Sequence, residues 1–179
     1  MKKDDVKSSD LQATIQSVEP VTGATARKRM EVVVRLSNKS KRALHYISDM
    51  RAMRYDPLAK RLVIALSDEG REILPLNVEK VPVIRHIDPQ SDAEIRISVP
   101  ERIIKLPSQT PGGKLAFEKH DMAEMQEVVV EVGWADVPFY KDTRPRKAEA
   151  SRKMPAALWE QHKVRTTFRM PKSGAPKTE

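Results

Sequence analysis

The sequence predicts an all-β fold: an antiparallel β-sandwich of immunoglobulin-like kind, with a basic loop and a short helix inserted before the last strand. Three runs predict it. Met30, Val32, Val34 and Leu36 alternate with Glu31, Val33, Arg35 and Ser37; Ala93, Ile95, Ile97 and Val99 alternate with Glu94, Arg96 and Ser98. Val128, Val130, Val132 and Trp134 fall on one side of a third run, with Glu127, Glu131 and Gly133 largely on the other. Side chains two apart share a face of an extended chain, so each run has one apolar face to bury. Half-polar strands do not suit a parallel α/β sheet, whose strands are apolar on both sides. The cysteine pair of antibody domains is absent and Trp134 comes late in the chain, so the reading rests on pattern.

The elements follow in order. Residues 1–9 are polar and predict a disordered leader; residues 10–170 form a single domain; residues 171–179 form a disordered, proline-containing tail. Leu11, Ala13 and Ile15 open the first strand, which is expected to end at Pro20, and Thr22–Thr25 turn into the Met30 strand. Asn38–Lys41 close that strand. Residues 43–55 fit either a helical face or an extended piece irregular near Ser48-Asp49. The extended reading is preferred, because Asp56–Lys60 then joins it to the alternating Leu62, Ile64 and Leu66. Asp68–Arg71 turn, and residues 71–82, with two prolines, cross at an edge or between sheets. Val83–Ile87 is a short strand, Asp88–Ser91 a turn, and Pro100–Pro107 packs Ile103 and Ile104. Residues 108–114 are a loop. Residues 141–163 are a basic insertion, in which Pro155 starts a short helix reaching Trp159 and His162. Val164, Thr166 and Phe168 mark the last strand.

Composition limits the chemistry. With no cysteine, disulfides, thiolate metal sites, iron–sulfur clusters and a thiol nucleophile are excluded. The start of the chain has no apolar signal region and no run approaches the roughly 18 apolar residues of a membrane span, so a cytoplasmic protein is expected. The 13 prolines against 6 glycines favour short elements joined by stiff connections. The net charge of +8 raises the prospect of a polyanionic partner, although 25 acidic residues are interspersed.

No named chemistry emerges from the motifs. His45, His86, His120 and His162 lie far apart and lack metal-ligand spacing. Glu118, His120 and Asp121 form one local ligand-like group, read as a solvated loop. Pro111–Lys114 resembles the end of a phosphate loop but has Leu115 where a hydroxyl belongs, and it is read as a glycine loop tip. Asp49 and Asp56 flank Met50–Tyr55 and Asp68-Glu69 lies at a turn, where carboxylates usually accept backbone hydrogen bonds or keep the turn solvated. Asn38-Lys39-Ser40 matches a glycosylation sequon by chance. No cofactor is expected.

Two basic segments stand out. Arg27, Lys28, Arg29, Arg35, Lys39, Lys41 and Arg42 crowd residues 27–42; Lys141, Arg144, Arg146, Lys147, Arg152 and Lys153 crowd residues 141–153. The insertion adds Phe139, Tyr140, Leu158 and Trp159, giving apolar and aromatic anchors inside a cationic rim. Long loops on sandwiches commonly carry recognition. The expected partner-binding residues are therefore Phe139, Tyr140, Arg144, Arg146, Lys147, Leu158 and Trp159. The sequence reading is a non-enzymatic interaction or assembly module, a structural subunit or adaptor that engages a protein or its own copies. The alternative is a nucleic-acid-binding protein using segments 27–42 and 141–153.

Overall fold

The structure is a computed structural model that describes residues 10–22, 28–67, 83–105, 118–136 and 162–171. These residues form eleven strands and one short 3-10 turn, so the chain is all-β. Strands β1 (Leu11–Thr22), β2 (Lys28–Asn38) and β7 (Asp92–Pro100) make a three-stranded antiparallel sheet in the order β1-β2-β7. The second sheet runs β4 (Ala52–Asp56), β5 (Arg61–Leu66), β10 (Glu127–Ala135), β3 (Leu44–Ile47) and β6 (Ile84–Ile87), with β11 (His162–Arg169) also paired to β10. Strands β8 (Arg102–Lys105) and β9 (Glu118–Asp121) form a separate antiparallel pair.

The apolar faces anticipated from alternation meet in one core between the two larger sheets. Val32, Val34, Leu36, Ile95, Ile97 and Val99 come from one sheet; Leu44, Leu62, Ile64, Leu66, Val128, Val130, Val132 and Trp134 come from the other. Removing this much apolar surface from water is the main stabilising term of such a fold. Phe168, expected inside, is half-buried against that core. Met122, which opens the 3-10 turn, and Met125, which follows it, close the core beside β8–β9, where Ile103 also packs against it. Tyr55 on β4 stacks obliquely on His120 of β9, with ring centroids 5.3 Å apart.

Several local expectations change. The phase of β1 shifts at Gln16, where a bulge separates Ile15, opposite Val34, from Ser17, opposite Val33. The inward set therefore passes from Leu11 and Ile15 to Val18, and β1 continues through Pro20 to Thr22. An edge strand tolerates proline because one row of its backbone groups needs no ladder partner. Residues 43–55 divide into β3 and β4 around Ser48–Arg51, and β4–β5 is the anticipated hairpin. At its turn the Asp56 carboxylate accepts from the backbone N–H of Leu58 (3.0 Å) and Ala59 (3.1 Å). Ile104 is 56% exposed, because in β8 it points away from the core that receives Ile103.

Two further corrections concern pairing. The sandwich is not wholly antiparallel: β10 runs parallel to β5, with Val128 opposite Leu62 and Val130 opposite Ile64. In addition, β10 is buried on both faces, since outward-facing Val129 and Ala135 are buried along with the core row. A near-continuous apolar strand is the usual signature of a central position. The Glu118–Asp121 group is a strand rather than a solvated loop. Asp121 caps the 3-10 turn by accepting from the Ala123 N–H at 2.9 Å. His162 and Lys163 stand on β11, so neither belongs to the expected helix or to an insertion outside the sheet. The rest of that insertion, the leader 1–9, the turn and crossing segment 68–82, the tail from 172 onward and Pro111–Lys114 lie outside the described residues. Among the described residues, no helix is long and apolar enough to cross a membrane.

Candidate interaction surface

The described chain brings several expected features to one end of the sandwich. Here β2 leaves the first sheet and enters the second as β3, through residues 39–43. The chain makes the reverse crossing from β6 to β7 through residues 88–91. Strand β10 ends beside β3, with Trp134 opposite Tyr46 and Ala135 opposite His45, while β11 starts with His162 opposite Trp134. Residues 137–161 therefore depart from and return to this end.

Asn38 organises the end. It is 1% exposed, and its two amide N–H groups, one of them shared between acceptors, donate to the carbonyls of Arg42 (2.7 Å), Asp88 (3.0 Å) and Ile87 (3.2 Å). Its carbonyl oxygen accepts from the Ser40 N–H (2.9 Å) and hydroxyl (2.8 Å), the local turn that asparagine favours. One side chain thus ties both sheet crossings together. Burial also withdraws this asparagine from the sequon reading. From the opposite crossing, the Gln90 side-chain amide donates to the carbonyls of Lys39 (2.6 Å) and Ser40 (3.0 Å). These bonds help hold Gln90 at φ 55°, a left-handed backbone that glycine adopts more readily.

The first basic segment divides in space. Lys28 and Arg29 lie at the far end of β2, roughly 30 Å from Asn38 at about 3.3 Å per residue. Arg35 in mid-strand pairs with Asp92, whose other oxygen accepts from the Ser37 hydroxyl at 2.5 Å. The Arg35 and Ser37 hydrogen bonds hold the Asp92 carboxyl below its ordinary range. Lys39, Lys41 and Arg42 stand at the crossing end. Arg42 Nη1 lies 3.0 Å from Asp136 Oδ2, which links this basic turn to the last described residue before the insertion.

On the outward face of the same end, His45 on β3 lies directly opposite His86 on β6. Burial, with the nearby His86 charge, depresses the His45 pKa, while Asp136 opposes the shift. On the inward face the Trp134 ring lies 4.7 Å from the His162 ring. The fully buried Trp134 indole N–H finds no acceptor among the described residues.

An open cleft of about 300 Å³ lies between the edges of β3, β6 and β7, lined by Tyr46, Ser48, Arg85, Glu94, Ile95 and Arg96. Arg96 is already engaged by Glu94 (2.8 Å) and Glu31 (3.2 Å). The Ser48 hydroxyl in the same lining donates to the Val83 carbonyl at 3.1 Å. Among the described residues, no three histidine, cysteine or carboxylate side chains gather to hold a metal ion.

The anticipated partner-binding residues Phe139, Tyr140, Arg144, Arg146, Lys147, Leu158 and Trp159 all lie outside the described residues. What sequence reasoning missed is the scaffold around them, above all Asn38 and the Arg42–Asp136 link. Asn38 carried the signal of a strand end followed by a polar turn. Nothing local indicated that its amide would reach residues 87 and 88. No family model, curated protein or solved structure matches this chain.

Proposed function

We propose that this chain is a non-enzymatic, cytoplasmic interaction or assembly module, a structural subunit or adaptor, whose crossing end engages a protein partner or a second copy. We read its sandwich as immunoglobulin-like. Two packed sheets with a chain that switches between them at residues 39–43 and 88–91 support that topology. In this reading Phe139, Tyr140, Leu158 and Trp159 anchor the partner, and Arg144, Arg146 and Lys147 form the rim.

The observation that carries the proposal is the ordered pairing of the described residues that bracket residues 137–161 in sequence. Their stems are adjacent paired strands, and Asp136 is tied by Arg42 to a turn that Asn38 fixes from both sheets. A recognition loop gains affinity when its base is already ordered, because less conformational entropy is lost on binding.

The test is capture of binding partners by the full chain, with mass and nucleic-acid content measured together. Substituting Phe139, Tyr140 and Trp159 by alanine should abolish capture, since buried aromatic anchors are commonly worth about 2 kcal/mol or more each. Neutralising Arg144, Arg146 and Lys147 should mainly slow association. Retention of all interactions after deletion of residues 141–157 would overturn the proposal. Capture of nucleic acid that falls steeply with salt, and that is lost in the charge variant alone, would favour the alternative.

A further inference from the structure

We infer that His45 and His86 form a two-imidazole chelate for a divalent transition-metal ion, with copper(II) bound more tightly than zinc. The inference does not depend on the proposed interaction role. The register places His45 directly opposite His86 in the antiparallel β3–β6 pair. Opposed residues share a sheet face, with Cβ atoms about 4.5–5.5 Å apart. Two imidazoles rooted at that separation can both reach one ion at the usual metal–nitrogen distance of about 2.0–2.1 Å. The strand pairing fixes both attachment points, so little backbone ordering is left to oppose binding.

The surroundings suit an open, water-completed site. The His86 side chain is 69% exposed, which gives an ion access. His45 is half-buried beside Ala135, its partner on the other neighbouring strand. Asp136 and Asp88 place negative charge nearby; Asp88 Oδ1 lies 4.0 Å from His86 Nε2. Asp136 Oδ2 is held by Arg42, so this carboxylate contributes potential in place of a ligand. With two protein ligands, waters fill the remaining positions and the site is exchangeable. Imidazole ligands suit copper, nickel and zinc, and general affinity order puts copper(II) first. Each ring nitrogen that binds the ion must carry a lone pair, which neutral imidazole offers.

The experiment titrates the full chain with copper(II) chloride, and separately with zinc chloride, by calorimetry at pH 7.5 in a buffer that does not bind metal. The expected result is one ion per chain, with copper tighter than zinc. His86→Ala, at an exposed position that should leave the fold intact, should weaken binding by at least about tenfold. His120→Ala and His162→Ala test the other histidines and should leave the affinity unchanged. Copper(II) should also broaden the amide resonances of residues 44–47 and 84–87 before others. Binding should weaken as pH falls below the ordinary imidazole value of 6.5, because protons compete for the ligands. Undiminished affinity in His86→Ala, no binding by the native chain, or broadening centred elsewhere would each overturn the inference.

Discussion

Replacing Asn38 with alanine tests the physical account of the sheet crossings most directly. The substitution removes five hydrogen bonds of the side chain, to Arg42, Ile87, Asp88 and twice to Ser40. Only the Ile87 bond is fully buried; the other four are near enough to the surface for water to recover part of their value. Taking roughly 0.5 kcal/mol for each part-buried bond and about 1 kcal/mol for the buried one gives a loss of about 3 kcal/mol. For a protein of this size, about 1 kcal/mol moves the melting temperature by roughly 2–4 °C, so a drop on the order of 10 °C is expected. Asn38→Asp makes the account sharper. Aspartate keeps the oxygen that accepts from Ser40 but turns a carboxylate toward three carbonyls, so at neutral pH it should destabilise more than alanine does. Burial and those carbonyls favour its protonated form, which can donate, so acidification should narrow the gap between the two variants. Urea and thermal unfolding followed by circular dichroism measure all three proteins. A melting temperature for Asn38→Ala within about 2 °C of the native value, at unchanged denaturant slope, would refute the reasoning.

Two further outcomes follow from burial and charge. Val130 is fully buried between Ile64 on β5 and Thr166 on β11, so Val130→Asp should cost several kcal/mol and unfold much of the population, measured by the same dichroism signal. His45 has a folded pKa below the ordinary 6.5, so below that value the unfolded chain binds the extra proton more readily and stability falls as pH falls through this window. His45→Gln should remove that part of the pH dependence in metal-free buffer; an identical pH–stability profile for both proteins would show that His45 does not supply it.

The faces of the strands were legible because alternation records which side chains leave water together. Val32, Val34, Ile95, Ile97, Val130 and Val132 all enter the core for that reason. Alternation says nothing of which strand lies alongside, and so the parallel β5–β10 pairing was not visible. Two strands far apart in sequence meet there with no local signal. Nor does alternation reveal a bulge. Gln16 changes the phase of β1, and a run that reads as odd-numbered becomes even-numbered by Val18. Polar residues were harder still. Asn38 looks like a turn residue because its local bonds to Ser40 are those of a turn, whereas its bonds to Ile87 and Asp88 exist only once both sheets are assembled. The charge-rich segment can be read from the sequence, whereas the Asn38 bonds and the Arg42–Asp136 pair cannot.

The spatial division of residues 27–42 bears on the choice between a protein and a polyanion as partner. In sequence these cations make one dense patch. In space Lys28 and Arg29 stand at one end of β2, Arg35 is held by Asp92 in the middle, and Arg42 is held by Asp136 at the other end. Lys39 and Lys41 are exposed at the crossing end, and neither makes an ion pair among the described residues. Each phosphate neutralised on single-stranded nucleic acid contributes about −0.7 to the slope of log affinity against log salt. Two lysines would then supply a slope of only about −1.4, too shallow to dominate binding at physiological salt. Stronger phosphate-driven affinity would need cations beyond this end of the first segment, Arg144, Arg146 and Lys147 among them. Cations around apolar anchors describe the rim of a protein interface as well as they describe a phosphate clamp, but the rim does not need the first segment to contribute. The carboxylates already spent on Arg35 and Arg42 therefore weigh toward a protein partner. They also explain how a chain with a net charge of +8 keeps a sandwich face of alternating, mutually compensated charge.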